Sequence, residues 1–382
     1  MKKLFLAILL VFSSVNLLSC EKDEDGGGQK KAAQKSILNP TSEYIAVFGD
    51  IQCLTVNYRT LSIYQHSLDW IKEQSEQGIR INAVLHTGDV TGTNEEDRWK
   101  LFYEATNGFA DKIPFYTAIG DHDYTWEDVH YIYDRYNTRI NDYVKFPLSV
   151  SNIVDYYEEG RMENIIVENY IHGQPYYFLI LEFGPRPEVI DWARMYVGDH
   201  SWINFILVNH EYLESGGELR TSNLKCKARL RNTNYLTPTE LWEQLVSPYD
   251  NISWVLCGHV SSLYALTYGT NDSYREVPQI QHNIQEEPYK YDNWLMLWEF
   301  PLESDSANVF IYNTKTEKYY DSKKVLFKFK YTNEPPITSV KAIKSNKNAD
   351  TEFSITGQRL FSDSKKSGLF IKGGKKYLSV NR

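Results

Sequence analysis

The chain of 382 residues is 42% hydrophobic and 24% charged, the composition of a soluble globular protein long enough for one large domain with appendages. Its net charge of −9 argues against nonspecific binding to a nucleic-acid backbone, which needs basic surface, but is compatible with a small phosphorylated ligand held through cations. The 29 Tyr and 9 Trp hint only weakly at a sugar-handling surface, because buried aromatics are commoner.

Lys2 and Lys3 precede an apolar run from Leu4 to Leu18 that is short for a membrane span and reads as a signal peptide over 1–19. Its end, Leu17-Leu18-Ser19-Cys20, resembles a bacterial lipobox, which implies cleavage before Cys20, acylation of that residue and a membrane partner reached through the lipid. An ordinary signal peptide with a chance Cys is the plainer alternative. Glu21 to Asp25 resembles the acidic export tag of Bacteroidetes surface lipoproteins, and the Gly- and Lys-rich stretch after it reads as a tether within a linker, 20–43. Together these imply an exported protein at the outer membrane surface or facing the periplasm. Cys53, Cys226 and Cys257 are an odd count and a poor disulfide framework; buried thiols are the first reading and a Cys53–Cys257 bridge the second.

Strand patterns alternate with helical ones from Tyr44 onward. Tyr44–Gly49 reads as a buried strand, and Leu61–Gln77 as a helix with Leu61, Tyr64, Leu68 and Ile71 on one face. Ile81–His86 is a second strand. Glu95–Ala110 is an amphipathic helix packing through Trp99, Phe102, Tyr103 and Phe109, and Phe115–Ile119 is a third strand. Further strands are predicted at Asn164–Tyr170, Tyr176–Phe183, Ile203–Val208 and Ile252–Cys257, with a helix at Glu188–Tyr196. Ser262 to Tyr331 reads as successive strands. Pro335-Pro336 marks a boundary before a Lys- and Ser-rich tail. The β-α-β-α-β order gives an α/β class.

Five apolar runs stop in small clusters of metal-type ligands: Gly49-Asp50-Ile51-Gln52, Gly88-Asp89, Gly120-Asp121-His122-Asp123, Asn209-His210-Glu211 and Gly258-His259-Val260-Ser261. A lone strand-end Asp is usually a cap or turn residue. Five in series, four announced by Gly, point to one shared site outside the carboxyl ends of the strands.

This series resembles the pattern of the calcineurin-like metallophosphoesterase family, D-x-H or D-x-Q, G-D, G-N-H-D/E, a lone His and G-H-x-H, over residues 44 to about 313. The resemblance implies a four-layer α/β/β/α sandwich of two mixed sheets flanked by helices, and a domain at 44–332. It also implies two divalent ions (Mn, Fe, Zn or Mg) sharing a bridging carboxylate and a bridging hydroxide that attacks a phosphate ester. Carried over by position, Asp89 bridges the ions, Asp50 and Gln52 bind the first, and Asp121, His210 and His259 bind the second. His122 is placed to protonate the leaving oxygen or hold a phosphoryl oxygen, with Asp123 either orienting it or holding a turn.

Two positions depart from the pattern. Asp121 stands where Asn is usual, which removes one net positive charge and tilts the expectation from phosphomonoesters towards diesters. Ser261 stands where the last His is usual, leaving the first ion with oxygen ligands and favouring Mn²⁺ or Mg²⁺ there, with Zn²⁺ or Fe at the other position. If the first ion is lost altogether, a single ion remains, and the alternative is a degenerate surface protein that binds a phosphorylated or glycan ligand with little turnover. His282 is a candidate to replace the missing His. Asn94, Tyr124, Trp126, Tyr212 and Arg220 lie just after motif loops and are candidate substrate contacts. The tail, 333–382, resembles a β-rich Bacteroidetes sorting domain.

Overall fold

The structure, a computed structural model, describes residues 36–127, 132–221, 234–302 and 304–325, together with four short strands in the tail. The signal peptide, Cys20, the tether, Cys226 and Pro335-Pro336 lie outside the described residues, as does the side chain of Trp126.

Apolar runs with no polar face can only be strands covered on both sides. β1 (Glu43–Phe48) is buried at all six positions. Asn57 then caps α1 (Tyr58–Glu76), its side chain accepting from the Arg59 and Thr60 amides, and Leu61, Tyr64, Leu68 and Ile71 form the buried face as expected. β2 (Arg80–His86), α2 (Glu96–Ala110) and β3 (Phe115–Thr117) complete a unit in which β1, β2 and β3 run parallel. Tyr103 packs on Phe146 and Tyr143 while remaining 39% exposed.

A hairpin of β4 (Tyr124–Glu127) and β5 (Ile132–Thr138) and two short helices, α3 (Ile140–Tyr143) and α4 (Pro147–Val150), lead to the second sheet. Its strands are β6 (Ile153–Tyr156), β7 (Ile165–Val167), β8 (Tyr170–Ile171), β9 (Gln174–Ile180), β10 (Asn204–Val208), β11 (Ile252–Cys257), β12 (Ala265–Thr270) and β13 (Glu276–Gln281). Helix α5 (Pro187–Asp199) joins β9 to β10, and a short helix at Pro238–Leu241, prolonged by a π turn, precedes β11. The chain then returns to the first sheet with β14 (Trp294–Phe300), β15 (Ala307–Asn313) and β16 (Lys318–Val325). The strand orders are β16-β15-β14-β1-β2-β3 and β12-β13-β11-β10-β9-β7-β6, with β8 on β9.

Strand alternation separates two cores. Ile206, Val208, Trp254 and Leu256 join the core that includes the first sheet, where the Trp254 and Trp298 rings lie 4.5 Å apart. Phe205, Leu207, Ile252 and Val255 pack on the other face with Val189, Ile190 and Ala193 of α5. The layers are therefore helix, sheet, sheet, helix, the sandwich expected. In the tail, Glu352–Ser354, Arg359–Leu360, Gly368–Lys372 and Lys375–Ser379 form a four-stranded antiparallel sheet. Cys53 and Cys257 are free thiols, with no bridge between them; Cys53 Sγ donates to the Lys290 carbonyl at 3.3 Å.

Candidate metal centre

Parallel strands present their carboxyl ends on one edge, and the two sheets bring those edges together. Asp50, Asp89 and Asp121 follow β1, β2 and β3, neighbours in one sheet; His210 and His259 follow β10 and β11, neighbours in the other. Strand bonding continues to the lip, with the Gly258 amide donating to the His210 carbonyl at 2.9 Å. Asp50, Asp89 and His259 have positive φ (43°, 55° and 68°), a left-handed conformation in which a non-glycine residue is strained and which is concentrated at functional sites. Gly258 permits close approach: a Cβ there would lie 2.2 Å from Asp50 Oδ1 and 2.5 Å from Thr87 Oγ1.

Asp121, His210 and His259 each offer a ligand atom within 4.8 Å of the others. His210 is fully buried, and its Nδ1–H donates to the Thr87 carbonyl at 2.9 Å. A carbonyl only accepts, so Nε2 is the lone-pair end. That Nε2 lies 3.3 Å from Asp89 Oδ1, 3.4 Å from Asp121 Oδ1 and 3.3 Å from His259 Nδ1. His259 Nδ1 is 3.1 Å from Asp121 Oδ1, and its Nε2 is 3.7 Å from Glu211 Oε1. The Phe183 ring packs 5.9 Å from both imidazoles.

Beside this group, Asp50, Asp89 and His210 form a second set of converging ligand atoms. Asp50 accepts from Thr87 Oγ1 (3.2 Å), the His259 amide (3.0 Å) and Asn283 Nδ2 (2.7 Å). Gln52 Nε2 donates to Asp89 Oδ2 at 3.0 Å and also to Gln285 Oε1. Gln52 Oε1 is buried with no hydrogen-bond partner among the described residues.

Buried charge needs compensation. Burial pushes the Asp50 carboxyl up to about 7 against the pull of His210 and His259. Burial opposes charge on His210 too, but Asp89 and Asp50 outweigh it and hold the imidazole well above its usual range. Asp121 is the reverse case: burial would raise it, but His259 and His210 hold it well below the carboxylate range. Three aspartates around two imidazoles, plus an orphaned amide oxygen, suit divalent cations, whose charge replaces these shared protons. The two clusters fit a dinuclear site.

The sequence profile of the calcineurin-like phosphoesterase family matches residues 44–263, more than half of the chain. The chain belongs to that family. Among solved structures, a purple acid phosphatase from yellow lupin (Lupinus luteus) seeds is similar at 14% identity and TM-score 0.47, the match covering 78% of this chain and 55% of that one. A 5'-nucleotidase from Candida albicans is similar at 10% identity and TM-score 0.35, covering 77% of this chain and 54% of that one. The chain thus spans about half the length of either structure. No curated protein sequence matches it.

Against the phosphoesterase pattern, Asp50, Gln52, Asp89, Asp121, His210 and His259 all come together. His122 joins them, its ring within ligand distance of Asp89 and Asp121. Its amide donates to Asp89 Oδ1 at 3.0 Å and its Nδ1–H to the Gly92 carbonyl at 3.0 Å. Burial opposes charge on His122, but Asp89 and Asp121 prevail and raise its pKa. Asp123 takes the turn role of its two expected ones. Its carboxylate accepts from the Val90, Thr91 and Gly120 amides and from Thr91 Oγ1, tying loops together rather than orienting His122.

Several lesser expectations are corrected. His282 is not a replacement ligand: it belongs to none of the converging ligand groups among the described residues, its Nδ1–H donating to the Leu263 carbonyl at 2.7 Å. Ser261 is half-buried and makes no hydrogen bond to the cluster among the described residues. Asn94 is structural, bonding Trp99 Nε1, the Arg139 amide, Thr125 Oγ1 and the Asn137 carbonyl. Tyr124 and Tyr212 are fully buried, each within a hydrophobic core, Tyr212 in the one on the α5 side. Arg220 stays near the site, 2.8 Å from Glu211. Asn283, Gln285 and Thr87 touch the cluster outside the motif residues, as does Glu211 within the Asn209-His210-Glu211 motif; their position after strand ends was the available signal.

Proposed function

We propose that this phosphoesterase hydrolyses a small phosphate ester outside the cytoplasm, with a preference for diesters, as an exported protein anchored through a lipid on Cys20. The observation that carries the reading is the convergence of Asp121, His210 and His259 on one spot beside Asp89. Domain limits at 44–332 for the catalytic unit and 333–382 for the tail belong to the same proposal.

In this reading Asp121, His210 and His259 would hold one divalent ion and Asp50 and Gln52 the other, with Asp89 beside both groups. The ions' part, when bound, is to acidify the attacking water and absorb charge on the phosphoryl oxygens. His210 keeps its basic nitrogen inward because Thr87 fixes the tautomer. Asp89 is held by the His122 amide and by Gln52. His122, with Nδ1–H tied to Gly92, carries a proton on Nε2 to the leaving oxygen. The third aspartate, Asp121, lowers the net positive charge of the site, so a diester monoanion is accommodated better than a monoester dianion.

The test is turnover of aryl phosphate mono- and diesters in Mn²⁺ by wild type, His210→Ala and Asp89→Asn. Faster diester cleavage that both substitutions abolish is the expected result. Equal rates in all three would sink hydrolysis at this site and favour a ligand-binding protein; a large monoester preference would remove the diester assignment. For His122→Ala we expect a loss of roughly 10²–10⁴-fold on alkyl esters. The loss should be much smaller on nitrophenyl esters, whose leaving group needs no proton. An equal loss on both classes would deny His122 the acid role.

A further inference from the structure

We propose that Gln285 supplies the ligand that the phosphoesterase motif lacks at Ser261, completing an all-oxygen first position with Asp50, Gln52 and Asp89. This rests on the two-ion reading above and assigns a residue outside the family motifs.

The orientation of the Gln285 amide carries the argument. Its Nε2 donates to the His259 carbonyl at 3.1 Å. A carbonyl can only accept, so the two ends of this amide are not interchangeable, and Oε1 is directed onto the Gln52 amide. Gln52 Nε2 is shared between that oxygen and Asp89 Oδ2. Two oxygen acceptors therefore converge where the first ion is expected.

Gln52 is 8% exposed, and its own Oε1 has no partner among the described residues. A buried amide oxygen without a donor forfeits its hydrogen bonds to water and is destabilising. Exchanging the near-isosteric ends of the Gln52 amide puts this orphan oxygen at the same spot, where a cation satisfies all three oxygens at once.

The segment carrying Gln285 is fixed to the centre at both ends. The Gln285 amide N–H donates to Asn283 Oδ1 at 2.8 Å, and Asn283 Nδ2 donates to Asp50 Oδ2 at 2.7 Å. His259, whose carbonyl anchors the side chain, lies two residues before Ser261. The amide thus enters beside the place the missing imidazole would take. Two carboxylates and two amide oxygens form a hard donor set that selects Mn²⁺ or Mg²⁺ over Zn²⁺, while the two imidazoles of the other position favour Zn²⁺.

The experiment is calorimetric and paramagnetic titration of the metal-stripped full chain with Mn²⁺, with zinc content measured in parallel. Wild type should bind two ions of unequal affinity. Gln285→Ala should weaken the looser Mn²⁺ roughly tenfold or more while keeping the tighter ion, which also reports that the chain is folded. Gln285→Glu, which retains the oxygen, should restore Mn²⁺ binding, and Gln285→His should turn the looser position towards Zn²⁺. Looser-site affinity in Gln285→Ala within about twofold of wild type overturns the proposal, as does a wild type saturating at one ion. A wild type that saturates at one ion, or binds none, overturns the two-ion reading as well, whereas an unchanged looser site in Gln285→Ala overturns the Gln285 assignment alone.

Discussion

His210→Ala is expected to slow ester hydrolysis roughly 10³-fold, the scale of losing one preorganised electrostatic group, and to remove most of the thermal stabilisation that divalent ions confer. Among the described residues, His210 is the imidazole shared by the ligand group containing Asp121 and His259 and the one containing Asp50 and Asp89. The imidazole is wholly buried, Thr87 fixes its tautomer, and its Nε2 stands within 3.4 Å of Asp89, Asp121 and His259 together. Alanine leaves two buried carboxylates facing each other across a cavity and deprives the second position of one of its two nitrogens. The binding loss is separable from a folding loss. A ligand at a hundred times its Kd stabilises the native state by about 2.7 kcal/mol, so wild type should melt several degrees higher in Mn²⁺ than in chelator. The variant should melt at nearly the same temperature in both. Asp89→Asn sharpens the comparison, because Asn tolerates the left-handed backbone at that position and relieves carboxylate repulsion. It should therefore lose activity while the metal-free protein melts no lower than wild type. Retention of the Mn²⁺-dependent melting shift in His210→Ala would place the ion elsewhere.

The candidate ligands were legible because strands end near the ends of their hydrophobic runs, and an Asp or His just beyond that point lies at the sheet edge. Asp50, Asp89, Asp121, His210 and His259 were all placed by that rule. It marks position along the chain but not side-chain direction, and the misassignments follow from this. Tyr212 lies two residues past His210, yet its ring packs into the α5-side core. Asn94 lies five past Asp89, yet Trp99 and Arg139 claim its amide. His282 drew attention as an imidazole, while the residues reaching the centre are its neighbours Asn283 and, three positions on, Gln285. Amides carry no motif. Their role depends on β13 lying parallel beside β11, which sets the segment after β13 next to His259. That pairing is long-range and was not legible in a stretch read only as successive strands. Tyr103 shows how far helical spacing carries for packing: it packs as expected, stacking on Phe146, but remains 39% exposed at the surface.

Gly120→Ala is expected to cost about 1–3 kcal/mol of stability and roughly 10²-fold or more in kcat/KM. A Cβ at this position would lie 2.1 Å from Asp89 Oδ1 and 2.3 Å from the Asp89 backbone nitrogen. The side-chain atom can swing away, but the backbone nitrogen cannot, because Asp89 is already held at a positive φ between β2 and the Asp123 bonds to Val90 and Thr91. The loop 120–123 must then retreat, and it carries both Asp121 and His122. Their distances to His259 and Asp89, 3.1 Å and 3.0 Å, lengthen together. A displacement near 1 Å at two groups of one centre accounts for the rate loss. Gly108 provides the control. It sits in α2 with nothing within 4 Å of its added Cβ, so Gly108→Ala should leave kcat/KM unchanged and raise stability by about 0.5–1 kcal/mol through helix propensity. Urea denaturation and steady-state kinetics on the two variants separate a general intolerance of added bulk from the specific contact between Gly120 and Asp89. Wild-type kinetics in Gly120→Ala would show that the loop can yield without moving the residues the site depends on, and that the close approach at Asp89 is not what holds them.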